Sequence, residues 1–107
     1  MRVRFLYYEE CPSHEQALER LREVMAEEGI SREVEVHKVE TEDQARESRF
    51  VGSPTIRVEG RDIDPPGDPR YGLTCRAYRL EDGRISPLPS RDMIRRALRS
   101  AAESRPG

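Results

Sequence analysis

Apolar and polar residues alternate along the chain with two different periods, which predict strands and helices in turn. The first segment, residues 2–8, is apolar on both faces from Phe5 to Tyr8, as expected of a central strand covered on two sides. The segment from Pro12 to Glu28 begins with a proline suited to the first helical position and is followed by Gly29, a natural C-terminal cap. Its apolar stripe at helical spacing consists of Ala17, Leu18, Leu21, Val24 and Met25.

The rest of the chain continues this alternation. Val34 and Val36 alternate with polar residues and predict a half-buried strand near the edge of a sheet. Prolines and glycines between residues 59 and 72 predict a long loop. The predicted elements are a strand at 33–39, a helix at 41–48 capped by Thr41, a strand at 55–58, the loop 59–72, a strand at 74–80 that ends at an Asp82-Gly83 turn, and a last helix capped by Ser90.

This order of elements, β-α-β-α-β-β-α, predicts a single α/β domain. With 107 residues, the chain has room for one hydrophobic core. We therefore assign residues 1–102 to one domain and expect residues 103–107 to form a flexible tail.

Composition and charge narrow the classes of partner. Charged residues make up 37% of the chain and the formal net charge is −2, which argues against a nucleic acid or an anionic membrane as partner. No apolar stretch approaches the ~20 residues that span a bilayer, and the chain opens in a strand pattern, so we expect neither a membrane segment nor a signal peptide. Two cysteines are too few for a disulfide scaffold, which favours a reducing cytoplasm where cysteines are reactive or buried.

Cys11 is the first candidate for chemistry, because it lies between the first strand and the first helix. Unpaired N–H groups at a helix N-terminus stabilise a thiolate, so we expect the pKa of Cys11 to lie below the free value of ~8.5. His14 can face Cys11 across one helical turn and stabilise the thiolate or accept its proton. Glu9 and Glu10 oppose the thiolate by their negative charge. The alternatives are a small buried Cys11 and a solvated His14 without a chemical role.

Two short motifs resemble those of the thioredoxin-like superfamily. One is Cys11-Pro12-Ser13-His14 at the predicted helix start, and the other is Gly52-Ser53-Pro54-Thr55 at the start of the strand at 55–58. Thioredoxin has Cys-x-x-Cys at the first motif, so a histidine in place of the second cysteine marks a divergent, monothiol-like member. The resemblance implies a four-stranded mixed sheet with helices on both faces.

The resemblance also implies a partner-binding surface. Pro54 would form a cis peptide bond beside Cys11, whereas the other interpretation is an ordinary trans proline that opens an edge strand. Ser53 would present its backbone to an extended peptide or a thiol ligand. Pro12, Ser53 and Pro54 are therefore the expected substrate-binding residues.

Cys75 is a candidate for the resolving thiol that position 14 lacks. A plain hairpin of the strands at 55–58 and 74–80 would leave Cys75 at the far end of the sheet, beyond the ~7 Å between Cα atoms that a disulfide allows. If the loop 59–72 instead carries the chain back, Cys75 would lie close to Cys11. The sequence leaves both arrangements open.

Metal binding is a further option. Cys11 and His14 have the Cys-x-x-His spacing of zinc ligands, and Cys75 and His37 could complete a set, but no second pair with this spacing follows. A soft metal ion on the two cysteines needs fewer ligands. We assign no metal site and no cofactor.

The predicted function is thiol–disulfide oxidoreduction, with Cys11 as nucleophile, His14 as the catalytic residue that assists it and Cys75 as a possible resolving residue. One alternative is a non-catalytic, thiol-based binder of a soft metal or metalloid. Another is a thioredoxin-like protein-interaction module that has lost catalysis. The expected partner is a protein or small-molecule thiol or disulfide, and the expected assembly is a monomer or weak dimer in the cytoplasm.

Overall fold

The computed structural model describes residues 1–103 and has an α/β fold with a four-stranded mixed sheet, a second sheet of two short strands, and three helices. The elements, numbered in chain order, are β1 (Val3–Tyr7), α1 (His14–Glu27), β2 (Val34–Lys38), α2 (Glu42–Glu47), β3 (Thr55–Val58), β4 (Arg61–Asp62), β5 (Tyr78–Arg79), β6 (Ile85–Ser86) and α3 (Arg91–Glu103). The predicted tail lies outside the described residues except for Glu103, which ends α3. None of the helices within the described range is long and apolar enough to cross a membrane.

β1 is a central strand of the main sheet, whose order is β2-β1-β3-β4. It runs parallel to β2 and antiparallel to β3, so Phe5 lies between Val36 on one side and Ile56 on the other. β2 forms one edge of the sheet, as its alternating pattern predicts. Since β3 runs opposite to β1, it begins at the end of the sheet where β1 stops, and the turn that carries Cys11 follows there.

Apolar side chains cover β1 on both faces. On one face Phe5 packs with α1 and α3 in a cluster that we call the apolar core, whose buried members are Val3, Phe5, Ala17, Leu21, Val24, Met25, Ile56, Val58, Ile94 and Leu98. On the other face a smaller buried cluster includes Ala45 of α2 and consists of Leu6, Val39, Ala45 and Phe50. Helices therefore lie on both faces of the sheet. Burial of one large apolar side chain contributes about 1.5–3 kcal/mol, so the apolar core is the larger stabilising cluster.

The helix boundaries follow from local sequence, with one shift. Thr41 caps α2 as predicted, because its Oγ1 accepts a hydrogen bond from the Gln44 N–H at 3.0 Å. Gly29 follows α1 with φ +70°, a conformation that glycine adopts at little cost. The prediction that α1 begins at Pro12 is wrong: the helix starts two residues later, and Ser13 is its N-cap.

The fourth strand of the main sheet is not the one that the sequence predicted. In place of residues 74–80, the two residues of β4 complete the sheet, directly after a tight turn at Glu59 and Gly60 inside the predicted loop. Both turn residues have positive φ, +54° and +79°, as a two-residue hairpin turn requires. Within 74–80 only β5 forms a regular strand, and it pairs with β6 across the predicted Asp82-Gly83 turn.

Candidate functional site

Cys11 and Cys75 form a disulfide bond between segments that are 64 residues apart in sequence. Their Cα atoms are 5.7 Å apart, within the range that a disulfide spans. Of the two arrangements that the sequence left open, the structure has the one that brings Cys75 to Cys11, not the plain hairpin. The physical reason is β4: it runs back along β3, so the chain after Asp62 already heads toward the end of the sheet where Cys11 lies.

Cys11 is buried in the turn between β1 and α1. Its N–H donates to the Tyr8 carbonyl oxygen at 3.1 Å, and 1% of its surface is exposed, whereas the neighbouring Pro12 is exposed. Ser13, the N-cap of α1, makes no side-chain hydrogen bond to the first N–H groups of the helix. The turn therefore places Cys11 two residues before a helix N-terminus, where positive partial charge favours a thiolate.

His14 is the first residue of α1 and faces the backbone of Cys11. Its Nδ1 lies 2.7 Å from the Cys11 carbonyl oxygen, and its ring stacks on Tyr7 with 4.5 Å between centroids. Because a carbonyl oxygen only accepts, Nδ1 carries the proton in this contact. This hydrogen bond to the Cys11 backbone holds the His14 ring beside the cysteine. Proton transfer between His14 and the Cys11 thiol stays a prediction.

The Ser53–Pro54 peptide bond is cis, as the resemblance implies. Ser53 is fully buried, and its backbone is paired with a later segment of the chain. The Ser53 N–H donates to the Thr74 carbonyl oxygen at 2.8 Å, and the Ser53 carbonyl oxygen accepts from the Arg76 N–H at 2.9 Å. The protein's own chain therefore occupies the backbone groups that the resemblance assigns to an external ligand.

A buried polar cluster of Asp62, Arg76, Tyr78 and Pro54, which we call the Arg76 cluster, holds the segment that carries Cys75. The Arg76 guanidinium donates to both carboxylate oxygens of Asp62, at 2.7 and 2.8 Å. It also lies 4.4 Å from the centroid of the Tyr78 ring. The Tyr78 hydroxyl in turn donates to the Pro54 carbonyl oxygen at 2.5 Å. These contacts tie the residues after Cys75 to β4 and to the start of β3.

Burial and ion pairing set the protonation of this cluster. Burial is the largest influence and opposes the charge of Arg76, but the hydrogen bonds to Asp62 and the charge attraction of Asp62 and Asp64 together outweigh it, so the pKa of Arg76 is raised. Burial also raises the pKa of Tyr78, because the phenolate would lose its hydration. Around neutral pH, Arg76 is a cation and Tyr78 is a neutral hydrogen-bond donor.

Gly52 allows the segment to approach Ser53 this closely. Its φ is +131°, and a Cβ at this position would lie 2.9 Å from the Arg76 Cβ. Any other residue at position 52 would strain the backbone and displace Arg76.

Sequence reasoning missed Asp62, Arg76 and Tyr78 as parts of the site. In the structure, buried residues at 76 and 78 alternate with exposed ones over residues 75–79, and the sequence indicates this inward face only through Tyr78. This spacing places Arg76 on the same inward face as Tyr78, where a guanidinium needs a carboxylate partner. Asp62 could have been suspected from that requirement, but not located by it.

Each of the two segments that carry the cysteines has an acidic side chain nearby, and we call these residues, Glu10 and Glu42, the acidic rim. Glu10 directly precedes the first cysteine and accepts a hydrogen bond from the Tyr8 hydroxyl at 2.7 Å, which raises the pKa of Tyr8. Glu42 accepts from the N–H of Leu73, two residues before the second cysteine, at 3.3 Å. Both rim residues are exposed. A charged partner that approaches the disulfide therefore meets negative charge.

Other residues that the sequence analysis named lie away from this arrangement or carry another partner. Glu9 forms an ion pair with Lys38 at 2.7 Å, and this hydrogen bond lowers the pKa of Glu9. His37 is exposed on the edge strand β2. Within residues 1–103, no group of three or more His, Cys, Asp or Glu side chains is arranged to hold a metal ion.

Comparisons with known proteins find no relative of this chain. No family model matches the chain. Neither the curated proteins nor the solved structures include a match to it. The function is therefore inferred from the disulfide and its surroundings.

Proposed function

We propose that the protein is a thioredoxin-like thiol–disulfide oxidoreductase whose redox pair is Cys11 and Cys75. The observation that carries the proposal is the disulfide itself, which joins two segments 64 residues apart with a Cα–Cα distance of 5.7 Å. Cys75 supplies the second thiol that is absent at position 14. The protein is then a dithiol enzyme whose resolving thiol comes from a distant segment.

The position of Cys11 and Cys75 in the fold supports this proposal. Cys11 follows β1 and precedes α1, and Pro54 directly precedes β3, so both lie at the same end of the main sheet. Ser53 is paired in a bridge with Cys75, which brings the second motif of the resemblance into the site. A four-stranded mixed sheet with helices on both faces is also what a thioredoxin-like fold requires.

In the proposed cycle, the Cys11–Cys75 disulfide accepts two electrons from a dithiol. A partner thiolate attacks one sulfur, a mixed disulfide forms, and the other cysteine leaves as a thiolate. A second partner thiol then displaces the enzyme, so the partner becomes a disulfide and the enzyme a dithiol. The reverse sequence reduces a partner disulfide. Such a cycle suits a reducing cytoplasm, in which the disulfide forms only transiently.

Turnover with a model disulfide tests this function. The wild-type protein should accelerate the reduction of a disulfide-containing peptide by dithiothreitol, and the Cys11→Ser and Cys75→Ser variants should each lose most of that acceleration. The matched control is the double variant with both substitutions, which keeps the fold's apolar core but has no thiol. A wild-type rate equal to that of the double variant would show that the disulfide is structural and that exchange is not the function.

A soft-metal binder is the second candidate, because two cysteines whose Cα atoms lie 5.7 Å apart can hold a two-coordinate ion once they are reduced. No third ligand of the kind that zinc requires lies with them in the described part of the chain. Titration of the reduced protein with Cu(I) distinguishes the two candidates. A binder takes up one ion per chain, loses it in the Cys75→Ser variant, and shows no turnover with the peptide disulfide.

A further inference from the structure

We propose that the partner thiol enters the site at Cys75 and that Cys11 is the buried thiol that leaves and later resolves the mixed disulfide. This inference rests on the proposed function and specifies the order of attack. It reverses the roles that the sequence suggested, in which Cys11 attacks first. Its basis is the unequal exposure of the two cysteines and the way each is held.

Solvent exposure differs sharply between the two cysteine residues. Cys11 has 1% of its surface exposed, whereas Cys75 is an exposed residue. A thiolate attacks a disulfide sulfur along the S–S axis, from the side opposite the leaving sulfur, so the attacked sulfur must face solvent. Attack on the buried Cys11 would require the β1–α1 turn to open, whereas Cys75 already lies at the surface.

The segment around Cys75 is fixed independently of the disulfide. Thr74 and Arg76, the residues on either side, are hydrogen-bonded to the backbone of Ser53. The Arg76 side chain is 7% exposed and pairs with Asp62. When the disulfide opens, these contacts remain, so Cys75 stays at the surface and within reach of Cys11.

Cys11 is placed as the leaving group. It lies two residues before the N-cap of α1, where unpaired N–H groups favour a thiolate. Burial opposes the charge of this thiolate whereas the helix N-terminus stabilises it, and a better stabilised thiolate leaves faster in thiol–disulfide exchange. A buried thiolate at this position is also shielded from the partner, which limits a second external attack.

The partner thiolate forms a new S–S bond with Cys75 while the Cys11–Cys75 bond breaks, and Cys11 takes the electron pair as thiolate. A second thiol of the partner then attacks the partner sulfur, releases Cys75 as thiolate, and leaves the partner oxidised. In the opposite direction, Cys75 attacks a partner disulfide and Cys11 displaces the partner from the mixed disulfide.

Peptide mapping of the wild-type protein decides which sulfur is attacked. The oxidised protein is mixed with glutathione, quenched with N-ethylmaleimide, and digested with trypsin, which places Cys11 in the peptide 5–20 and Cys75 in the peptide 71–76. We expect glutathione on 71–76 and maleimide on 5–20, in excess over the opposite pattern by about tenfold or more. Equal labelling, or glutathione mainly on 5–20, would overturn the inference.

Reduced single-cysteine variants give a second measure, because Cys11 can displace glutathione before the quench. Cys11→Ser, which keeps Cys75, should react with a small aromatic disulfide about tenfold faster than Cys75→Ser, which keeps Cys11. In guanidinium, the two rates should converge, which shows that the fold causes the difference. A faster Cys11 in the folded protein contradicts the inference. Turnover by the wild-type protein is measured separately, so a site with this order of attack but no turnover would refute the proposed function alone.

Discussion

The apolar core and the Arg76 cluster stabilise the same sheet in different ways. The core joins β1 and β3 to α1 and α3 through side chains without directional partners. The Arg76 cluster has one buried cation, one carboxylate and one phenol, each of which depends on a specific partner. Apolar packing therefore sets how stable the sheet is, whereas the directional contacts set where the segment with Cys75 lies.

The largest effect is expected from the apolar core. Phe5→Ala should lower the free energy of unfolding by about 3–5 kcal/mol, since it removes a fully buried ring. The loss should be the same in the oxidised and the reduced protein, because Phe5 contributes to packing and not to the position of Cys75. Urea unfolding of both redox forms measures this.

Val36→Ala is the matched control for that experiment, because Val36 lies opposite Phe5 on β2 and is 41% exposed. It should cost less than about 1 kcal/mol. If Phe5→Ala changed the glutathione equilibrium of the Cys11–Cys75 disulfide as strongly as it changes stability, the separation between the two regions would be wrong.

The second effect comes from breaking the Arg76 cluster. Arg76→Met removes the cation and leaves Asp62 without its partner, which should cost about 2–3 kcal/mol, below the 3–5 kcal/mol of a fully buried pair because Asp62 keeps 14% of its side chain exposed. The substitution should also weaken the disulfide, with a fall of about tenfold in its equilibrium constant against glutathione, because Cys75 is no longer held beside Cys11.

Arg79→Met is the control for the cluster, since Arg79 is exposed on β5. It should leave both the stability and the glutathione equilibrium near the wild-type values. Arg76→Met combined with Asp62→Asn should recover part of the stability, because no carboxylate then remains unpaired. An unchanged glutathione equilibrium in Arg76→Met would mean that the cluster does not position Cys75.

A smaller effect is expected at the other end of the cluster. Tyr78→Phe leaves the Pro54 carbonyl oxygen without its donor and should cost about 1–2 kcal/mol at neutral pH. Burial raises the pKa of Tyr78 above the ~10 of an unfolded tyrosine, so the unfolded state loses this proton first as the pH rises. The stability linked to Tyr78 is therefore complete below about pH 10 and is lost progressively above it.

The difference in free energy of unfolding between wild type and Tyr78→Phe, measured against pH, tests the direction of this change. Unfolding of wild type and Tyr78→Phe is compared from pH 8 upward, and the wild-type advantage should shrink above about pH 10. Tyr7, Tyr8 and Tyr71 are present in both proteins, so their titration cancels in the difference. A gap that widened with pH would contradict the buried, neutral state of Tyr78.

The two regions also differ in how far the sequence predicts them. The apolar core follows from periodicity, because Leu21 and Val24 at helical spacing and a doubly apolar β1 each require burial. Cys11 and Pro54 could be placed at one end of the sheet from their positions beside strands. The helix start was predicted two residues early, since a proline is also suited to the turn before a helix.

The position of Cys75 could not be predicted, because it depends on contacts between residues far apart in sequence. Two residues of β4 reverse the chain, and an ion pair between Asp62 and Arg76 then fixes the returning segment. The turn at Glu59 and Gly60 carries only a weak signal, because glutamate is not among the residues that favour a positive φ at the first turn position. Residues 74–80 do not form the single strand that was predicted, because Cys75 makes a bridge to Ser53 and β5 belongs to a separate small sheet.

The smallest predicted effect concerns the acidic rim, whose residues belong neither to the apolar core nor to the Arg76 cluster. Glu10→Gln and Glu42→Gln should each raise the rate at which an anionic thiol such as mercaptopropionate opens the disulfide by about twofold, since two unit charges about 8 Å apart interact by about 0.5 kcal/mol in water. The rate with cationic cysteamine should fall by a similar factor. Added salt should reduce both changes, because exposed charges are screened. Glu19→Gln on the exposed side of α1 is the matched control and should change neither rate. If the control shifted both rates as the rim variants do, the net charge of the protein, and not the acidic rim, would select the partner. The acidic rim would then have no role in specificity that distinguishes it from the rest of the surface.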